Sequence, residues 1–498
     1  MIVFLIRRDF RLDDNISLIE AAKECKRIDA PLLMLFVYNK DQISKNQNPY
    51  YSDNAMQFLV ESLNDLQDQL NDIDRKARIC RVLIKKTDDE PKLIKELHKQ
   101  NSIISLFTNK DLTPFARHRE DKLQDICHKL KINFFAYEDY TLFPMHEKQT
   151  KTNNGDAYKV FSFLYNKRKS LHKLIPEVQT FKQQATNLKW VDGENIRANR
   201  SVFETVRQND DERFYEKNAD VAVHGGRKKA LEVLNKRIGR GHFKDYEKTR
   251  DEVEDEEGTT RLSAYLKNGC ISIREFYEAV YEKHGIDHAL IREIYFREFY
   301  YGIAWFYPRV LEGMLNPKSK KNKAFIDDAK VKWRNDKKGF ELWKQGKTGT
   351  PFVDAGMRQM NKTGFMHNRL RMVVSMFLTK DLLIDWRDGE KYFATKLVDY
   401  HPIQNNAGWQ WSASIGTDAA PYFRIMNPYT QGTRFDKDTK YIKKWIPELK
   451  DVKAADIHKW EDKKIREKYK DVTDYPAPYI EDHTAKAKET VALFKKAL

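Results

Sequence analysis

Between Trp386 and Pro428 the chain reads WRDGEKYFATKLVDYHPIQNNAGWQWSASIGTDAAPYFRIMNP: three tryptophans, two adjacent amides (Asn405, Asn406) and an arginine within an aromatic cluster. A plain helical core would show Leu, Ile and Val at helical spacing with few indoles. Indoles alternating with small polar residues suit a flat conjugated ligand touched by rings and amides; the alternative is a tryptophan-rich core. In GTTRLSAYLKNG, Gly258 to Gly269, a glycine and hydroxyls precede a helix, offering backbone N–H groups and oxygens to a phosphate, or simply capping the helix. Glu293, Phe296, Arg297 and Tyr300 recur at i, i+3, i+4 and i+7, so one helix face would carry a carboxylate among aromatics. Such a carboxylate can hydrogen-bond or share a proton with a substrate carbonyl, or it can lie on a solvated face. Asn368 and Met372, with Arg371 nearby, pair an amide able to read a base or flavin edge with an adaptable packing group. On its own that pattern is also ordinary core packing.

The elements that position these residues fall into three stretches. From 1 to 138, apolar runs (IVFLI, PLLMLFV, ICRVLI, IISLFT, INFFAY) alternate with amphipathic helices, which predicts an α/β domain with a doubly wound parallel sheet. No Gly-rich phosphate fingerprint follows the first strand, which argues against an ordinary dinucleotide site there. Residues 139–222 are mostly polar and read as an interdomain connection, with one apolar piece, DAYKVFSFLYNKR, embedded in it. From 223 to 498 nearly every segment has helical periodicity, predicting a large all-α domain, with a lysine-rich loop at LNPKSKKNKAF. The formal charge of +16 suits a polyanionic partner or a lysine-rich solvated surface. The four scattered cysteines show no metal spacing, and neither a structural metal nor a disulfide framework is expected. The start, MIVFLIRRDFR, reads as a strand and no apolar run approaches membrane-spanning length, so a soluble intracellular protein, cytoplasmic or nuclear, is expected.

NNAGWQWSASIGTDAAPYFRIMNP, TGFMHNRLRM, LLIDWRDGEKYF and the opening IRRDFRLDDN resemble the photolyase/cryptochrome family, and in particular the class I cyclobutane pyrimidine dimer photolyases. The resemblance spans nearly the whole chain and is densest from Gly258 to Asp436. It implies non-covalent FAD contacted by Tyr246, Thr259, Thr260, Arg261, Leu262, Ser263, Arg371, Asp399, His401 and Asn405. Thr260 stands where the family usually has Ser, Asp399 matches the carboxylate that pairs with Arg371, and Tyr400-His401-Pro402 departs from the commoner Gly-Asp-Leu. Asn405 matches the residue facing the reactive flavin nitrogen, where a neutral amide suits a fully reduced, anionic flavin. Glu293 matches the carboxylate that contacts the pyrimidine dimer, and Asn368 and Met372 line its pocket. The (6-4) photolyases have histidines at both of the latter positions; His367 precedes the Asn in class I members too. Trp411 would form one wall of the pocket and Phe296 the other, where class I members carry Trp, so weaker lesion stacking is implied. Trp333, Trp386 and Trp409 match the tryptophan chain that photoreduces the flavin. Arg250, Arg369 and Arg424 match arginines that grip damaged DNA, and Arg297 and Gln431 join them as candidates. For a second, antenna chromophore, Phe115 and Ala116 replace the folate binders' Asn-Glu pair. Asn109 and Asp111 resemble the deazaflavin pattern, with Thr113 in place of a carboxylate; deazaflavin and methenyltetrahydrofolate both stay open. The implied activity is light-driven repair of UV-damaged DNA by a monomer, with a cryptochrome-type photoreceptor or a (6-4) photolyase as alternatives.

Overall fold

The structure, a computed structural model, describes residues 1–196, 201–239, 243–312 and 328–497; the lysine-rich run 315–325 lies outside them. By packing, the chain divides into two compact units. The first comprises Met1–Asn218, Val223–His242 and Thr260–Pro308, and the second Ala219–Ala222, Phe243–Thr259 and Arg309–Leu498.

In the first unit β1 (Ile2–Ile6), β2 (Leu32–Asn39), β3 (Cys80–Ile84), β4 (Ser105–Asn109) and β5 (Asn133–Tyr137) pair in parallel, in the order β5-β4-β1-β2-β3. The register sets Ile2 beside both Leu32 and Ser105. β1, β3 and β4 are buried throughout, as uninterrupted apolar strands in a sheet covered on both faces should be. Four helices make the crossovers: α1 (Ile16–Ile28), α2 (Asp53–Ile73), α3 (Glu90–Asn101) and α4 (Pro114–Lys129). Each start is written in the sequence: Asn15, Ser52 and Thr113 cap α1, α2 and α4 through side-chain oxygens, and prolines open α3 and α4. The polar connection also supplies an antiparallel edge strand, β6 (Phe203–Thr205), paired with β3.

The expected boundary at 222/223 does not follow the packing. Helices α5 (Phe161–Tyr165), α6 (Ser263–Asn268), α7 (Ile273–His284) and α8 (Ala289–Phe306) belong to the first unit. A buried charge cluster ties them in. Asp139 takes Arg11 Nη2 at 2.7 Å and Arg274 Nη2 at 2.8 Å, and Arg274 Nε reaches Asp14 at 2.8 Å. Unpaired, each of these charges would cost several kcal/mol, on the order of 3–5, so the sequence cannot place them apart. Gly269 ends α6 at φ +64°, and a Cβ there would lie 2.7 Å from Asp9 Cα; the close approach requires glycine.

The second unit is helical: α9 (Lys337–Gln345), α10 (Pro351–Thr363), α11 (Asn368–Met376), α12 (Trp386–Lys396), α13 (Pro402–Ser412), α14 (Pro428–Phe435), α15 (Lys440–Trp445) and α16 (His483–Lys496). Its core includes Phe352, Met357, Leu370, Val374, Leu378, Phe393 and Trp409. Within it lies a lysine. Lys380 is fully buried, its Nζ 2.8 Å from Ser414 Oγ, 3.3 Å from Ala413 O and 3.6 Å from the centre of the Phe494 ring. Beside it Asp381 meets His483 Nδ1 at 2.6 Å, which docks the start of α16. Burial opposes the charged imidazole, but the bond to Asp381 outweighs it and raises the His483 pKa.

Burial holds the Lys380 amine well below its ordinary value. Between the folded and unfolded values the unfolded chain binds more protons, so this group makes stability rise with pH. The expected result is a stability difference, wild type minus Lys380→Met, that grows as pH rises toward the ordinary lysine value. Urea titrations across that range check it.

Candidate functional site

In the second unit the helix starts carry the chemistry. His367 caps α11, accepting from Arg369 N at 3.1 Å, and burial pushes its imidazole down to about 4, so it stays neutral. Asn368 and Met372 follow one turn apart, with Nδ2 3.9 Å from the Met372 sulfur; Asn368 is exposed and Met372 half-buried. Arg371 donates from Nη2 to both oxygens of Asp399, at 2.9 and 3.0 Å, and from Nε to Met366 O at 2.8 Å. The expected Arg371–Asp399 pair therefore exists. His401 caps α13 by accepting from Ile403 N, ahead of Pro402. One turn on, Asn405 donates from Nδ2 to Glu390 Oε1 at 3.1 Å, and Tyr400 donates to the same oxygen at 3.0 Å. Glu390 is buried, and burial raises its pKa against the pull of Asn405 and Tyr400. With its N–H committed, Asn405 keeps its carbonyl oxygen for another donor.

The three candidate tryptophans all fall in this unit. Trp409 and Trp386 are buried and Trp333 is half-buried. Trp409 stands edge-on to Phe393 (5.0 Å, 81°) and to Trp343 (6.1 Å, 72°). It also lies against Gly389, one turn from Trp386 on α12. Trp333 stands edge-on to Phe494 of α16 at 6.0 Å. Of the DNA-gripping candidates, Arg369 is engaged with Asp251 at 2.7 and 3.2 Å, its guanidinium 4.4 Å over Phe435. Arg424 is exposed beside Phe423, the most exposed large apolar side chain among the described residues of the second unit. Trp411 packs half-buried against the core, Gln431 is half-buried on α14, and Arg250 ends the short helical turn that Tyr246 begins. Tyr246 meets Phe243 edge-on at 5.4 Å.

In the first unit Thr260 Oγ1 accepts from Leu262 N at 3.4 Å, Arg261 adopts φ +52°, Leu262 is buried and Ser263 is exposed at the start of α6. Thr259 lies at the end of the preceding segment, in the second unit. Glu293 is half-buried on α8. Phe296 is stacked on Phe161, with ring centres 3.4 Å apart and planes 7° from parallel, and Arg292 lies 5.3 Å from its centre. One face of the ring expected to stack on a lesion is therefore already covered by Phe161.

Three candidates have internal work. Arg297 is bonded to the buried Glu298, to Tyr140 O at 2.6 Å and lies 4.4 Å over Tyr301, so its guanidinium is engaged within the first unit. Asn109 is buried, its Nδ2 bonded to Asp9 at 2.6 Å and Asn15 at 2.9 Å, and its Oδ1 accepting from Ser17 N. Asp111 pairs with Arg8 Nη2 at 2.9 Å and accepts from Leu112 N. Both antenna candidates are thus spent on the loops at the strand ends, and Thr113, where a carboxylate was expected, caps α4. Sequence reasoning missed Glu390, Asp251, Phe161 and Trp343. Only Phe161 had a local signal, the apolar run embedded in a polar connection.

The chain thus combines a parallel α/β unit with a helical unit rich in capped helix starts, buried indoles and an Arg–Asp pair, and its fold is matched by photolyase and cryptochrome structures. Residues 2–183 match the family profile described as DNA photolyase, and residues 290–496 that of the FAD binding domain of DNA photolyase. The chain is 32% identical over 514 residues to a deoxyribodipyrimidine photo-lyase of Halobacterium salinarum, covering 100% of this chain and 99% of that one. It is similar to the crystal structure of an archaeal photolyase from Sulfolobus tokodaii with two FAD molecules, at 31% identity and TM-score 0.79 over 99% of each chain. It is also similar to a cryptochrome from Synechocystis, at 26% identity and TM-score 0.83 over 100% of this chain and 99% of that one. The chain belongs to the DNA photolyase family. Among the described residues no helix is long and apolar enough to cross a membrane.

Proposed function

We propose that this protein repairs UV-damaged DNA in a light-driven reaction that splits cyclobutane pyrimidine dimers, acting as a monomer in the cytoplasm or nucleus. The observation that carries the lesion choice is the Asn368–Met372 pair, an exposed amide and an adaptable thioether in contact on α11. Both are neutral and non-titrating, which suits a lesion that needs positioning and not proton donation.

The cofactor is FAD; when reduced and excited by light it supplies the electron that opens the dimer, and the protein supplies orientation and electrostatics. The donor set fits it. Arg371, held by Asp399, offers a fixed cation, and the Asn405 carbonyl, freed by the bond to Glu390, accepts from a ring N–H without adding charge. Tyr246, Thr259, His401 and the Thr260–Ser263 stretch complete the set. Glu293 would hydrogen-bond the pyrimidine carbonyls, and Trp411 and Phe296 are each assigned to stacking on the extruded lesion. Arg250, Arg369, Arg424 and Gln431 hold the backbone; phosphate contacts position the duplex while the pocket selects. Enzymes that do chemistry on a base within a duplex, photolyases among them, take it out of the stack into a pocket. Arg369 reaches phosphate by exchanging Asp251 for it.

The test is binding in the dark to duplexes carrying one cyclobutane dimer, one (6-4) product or no lesion. The cyclobutane duplex is expected to bind tightest. Glu293→Ala is expected to weaken it by about tenfold or more, the worth of one charged hydrogen bond. Equal affinity for all three duplexes, with flavin bound, would favour the photoreceptor reading.

A further inference from the structure

Asp251 and Arg369 lie far apart in sequence yet meet as a two-point pair within the second unit. Arg369 donates from Nη2 at 2.7 Å and from Nε at 3.2 Å, one N–H to each carboxylate oxygen. Water still reaches the pair: 18% of the Arg369 side chain and 31% of the Asp251 side chain are exposed. An ion pair so placed adds little stability, and Asp251 is not what holds the guanidinium in place. The Phe435 ring at the end of α14 does that, with its centre 4.4 Å from the guanidinium carbon of Arg369. Arg434, exposed and next to Phe435 in sequence, lies 5.0 Å over the same ring. Two like charges sharing one ring call for an anion close by. In the free protein that anion is the Asp251 carboxylate. We propose that Asp251 is an internal surrogate for a DNA phosphate: it fills the fork of Arg369 that phosphate oxygens fill in the complex, and so weakens the hold on every duplex, damaged or not. This rests on the reading of Arg369 as a DNA-gripping residue.

The two anions compete for one geometry. A guanidinium presents parallel N–H groups that match a carboxylate or a phosphate equally well. Because a half-exposed pair is worth little, a phosphate on a duplex of high charge density can displace the carboxylate, and the duplex releases counterions as it does so. The freed Asp251 then draws a cation from solution, which returns part of that gain. A backbone contact carries no information about the lesion, so Asp251 sets how strongly DNA is held and the pocket sets which DNA. At a formal charge of +16 the chain attracts any polyanion, and a carboxylate lodged in the grip shortens its stay on undamaged duplex. A carboxylate that merely braced Arg369 for phosphate would act in the opposite direction, so the sign of the effect decides between the two roles.

The test is fluorescence anisotropy in the dark on full-length, flavin-loaded protein, with an undamaged duplex and the same duplex carrying one cyclobutane dimer, each across a series of salt concentrations. The proteins are wild type, Asp251→Asn, Arg369→Gln and the double variant; asparagine keeps an oxygen for Arg369 and removes only the charge. Asp251→Asn is expected to bind both duplexes about fivefold tighter, with the ratio between them unchanged. The slope of log K against log salt is expected to steepen by up to about 0.9, the share of one phosphate. In the Arg369→Gln background the same substitution is expected to lose that gain. Weaker or unchanged binding by Asp251→Asn would overturn the proposal and make Asp251 a brace. An equal gain with and without Arg369 would overturn it too, as a general effect of net charge. If Arg369→Gln alone leaves affinity and salt slope as in wild type, the DNA-gripping reading of Arg369 fails, and the proposal with it.

Discussion

Gly389→Ala is expected to destabilise the second unit by about 1–3 kcal/mol, as overpacking does, and to slow photoreduction of bound FAD. On α12 a Cβ at position 389 would fall well inside contact distance of Trp409 Cη2 and 2.5 Å from Leu378 Cδ2. The indole cannot step aside easily, because Phe393 and Trp343 hold it edge-on from other directions. Alanine's better helix propensity returns at most about 1 kcal/mol, less than the clash removes. Gly408→Ala is the control: it lies exposed on α13, a Cβ there meets nothing within 4 Å, and the variant is expected to be as stable as wild type or slightly more so. Thermal denaturation of both variants, with flavin-reduction kinetics under constant blue light, checks the pair.

Asp399→Ala is expected to cost about 3 kcal/mol and to leave the purified protein largely without flavin. Asp399 is nearly buried and accepts from Arg371 through both oxygens, so its removal strands a cation whose other bond is to Met366 O. Breaking such a pair from one side costs far more than the pair is worth, because the remaining charge has lost its compensation. Asp399→Asn keeps an acceptor but loses the charge and is expected to fall between. Arg371→Lys offers one ammonium where the guanidinium serves Asp399 and Met366 O together, and is expected to lose FAD almost as completely as Arg371→Ala. The ratio of flavin to protein absorbance after gel filtration, with a urea midpoint for each variant, measures both effects.

How much of this was readable in the sequence depended on whether the signal was local. The five parallel strands announce themselves as apolar runs between amphipathic helices, since a strand buried on both faces has no polar alternation to confuse it. Asn368 and Met372 meet because helical spacing of four guarantees it. The same rule set Arg297 beside Glu293, yet Glu298, adjacent in sequence and buried, captured the guanidinium; spacing fixes a side chain's direction from the helix and says nothing of a neighbour's pull. β6 was invisible because three residues in a polar connection carry no period. The packing boundary was missed because it follows Asp139, Arg274 and Arg11, charges that look like surface residues until tertiary structure buries them together. Glu390, Asp251 and Lys380 share that reason: each owes its role to a partner distant in sequence. Asn109 and Asp111 matched a pigment pattern but are consumed by Asp9, Asn15 and Arg8.

The measurement that bears most directly on the account is single-turnover repair. Protein with fully reduced FAD is mixed with oligonucleotides carrying one cyclobutane thymine dimer or one (6-4) product, and the products are quantified after blue light or darkness. The account predicts restored thymines from the cyclobutane dimer in the light only, no change in the (6-4) product, and loss of repair in Glu293→Ala with flavin still bound. Intact dimers after illumination, with FAD bound and reduced, would contradict it.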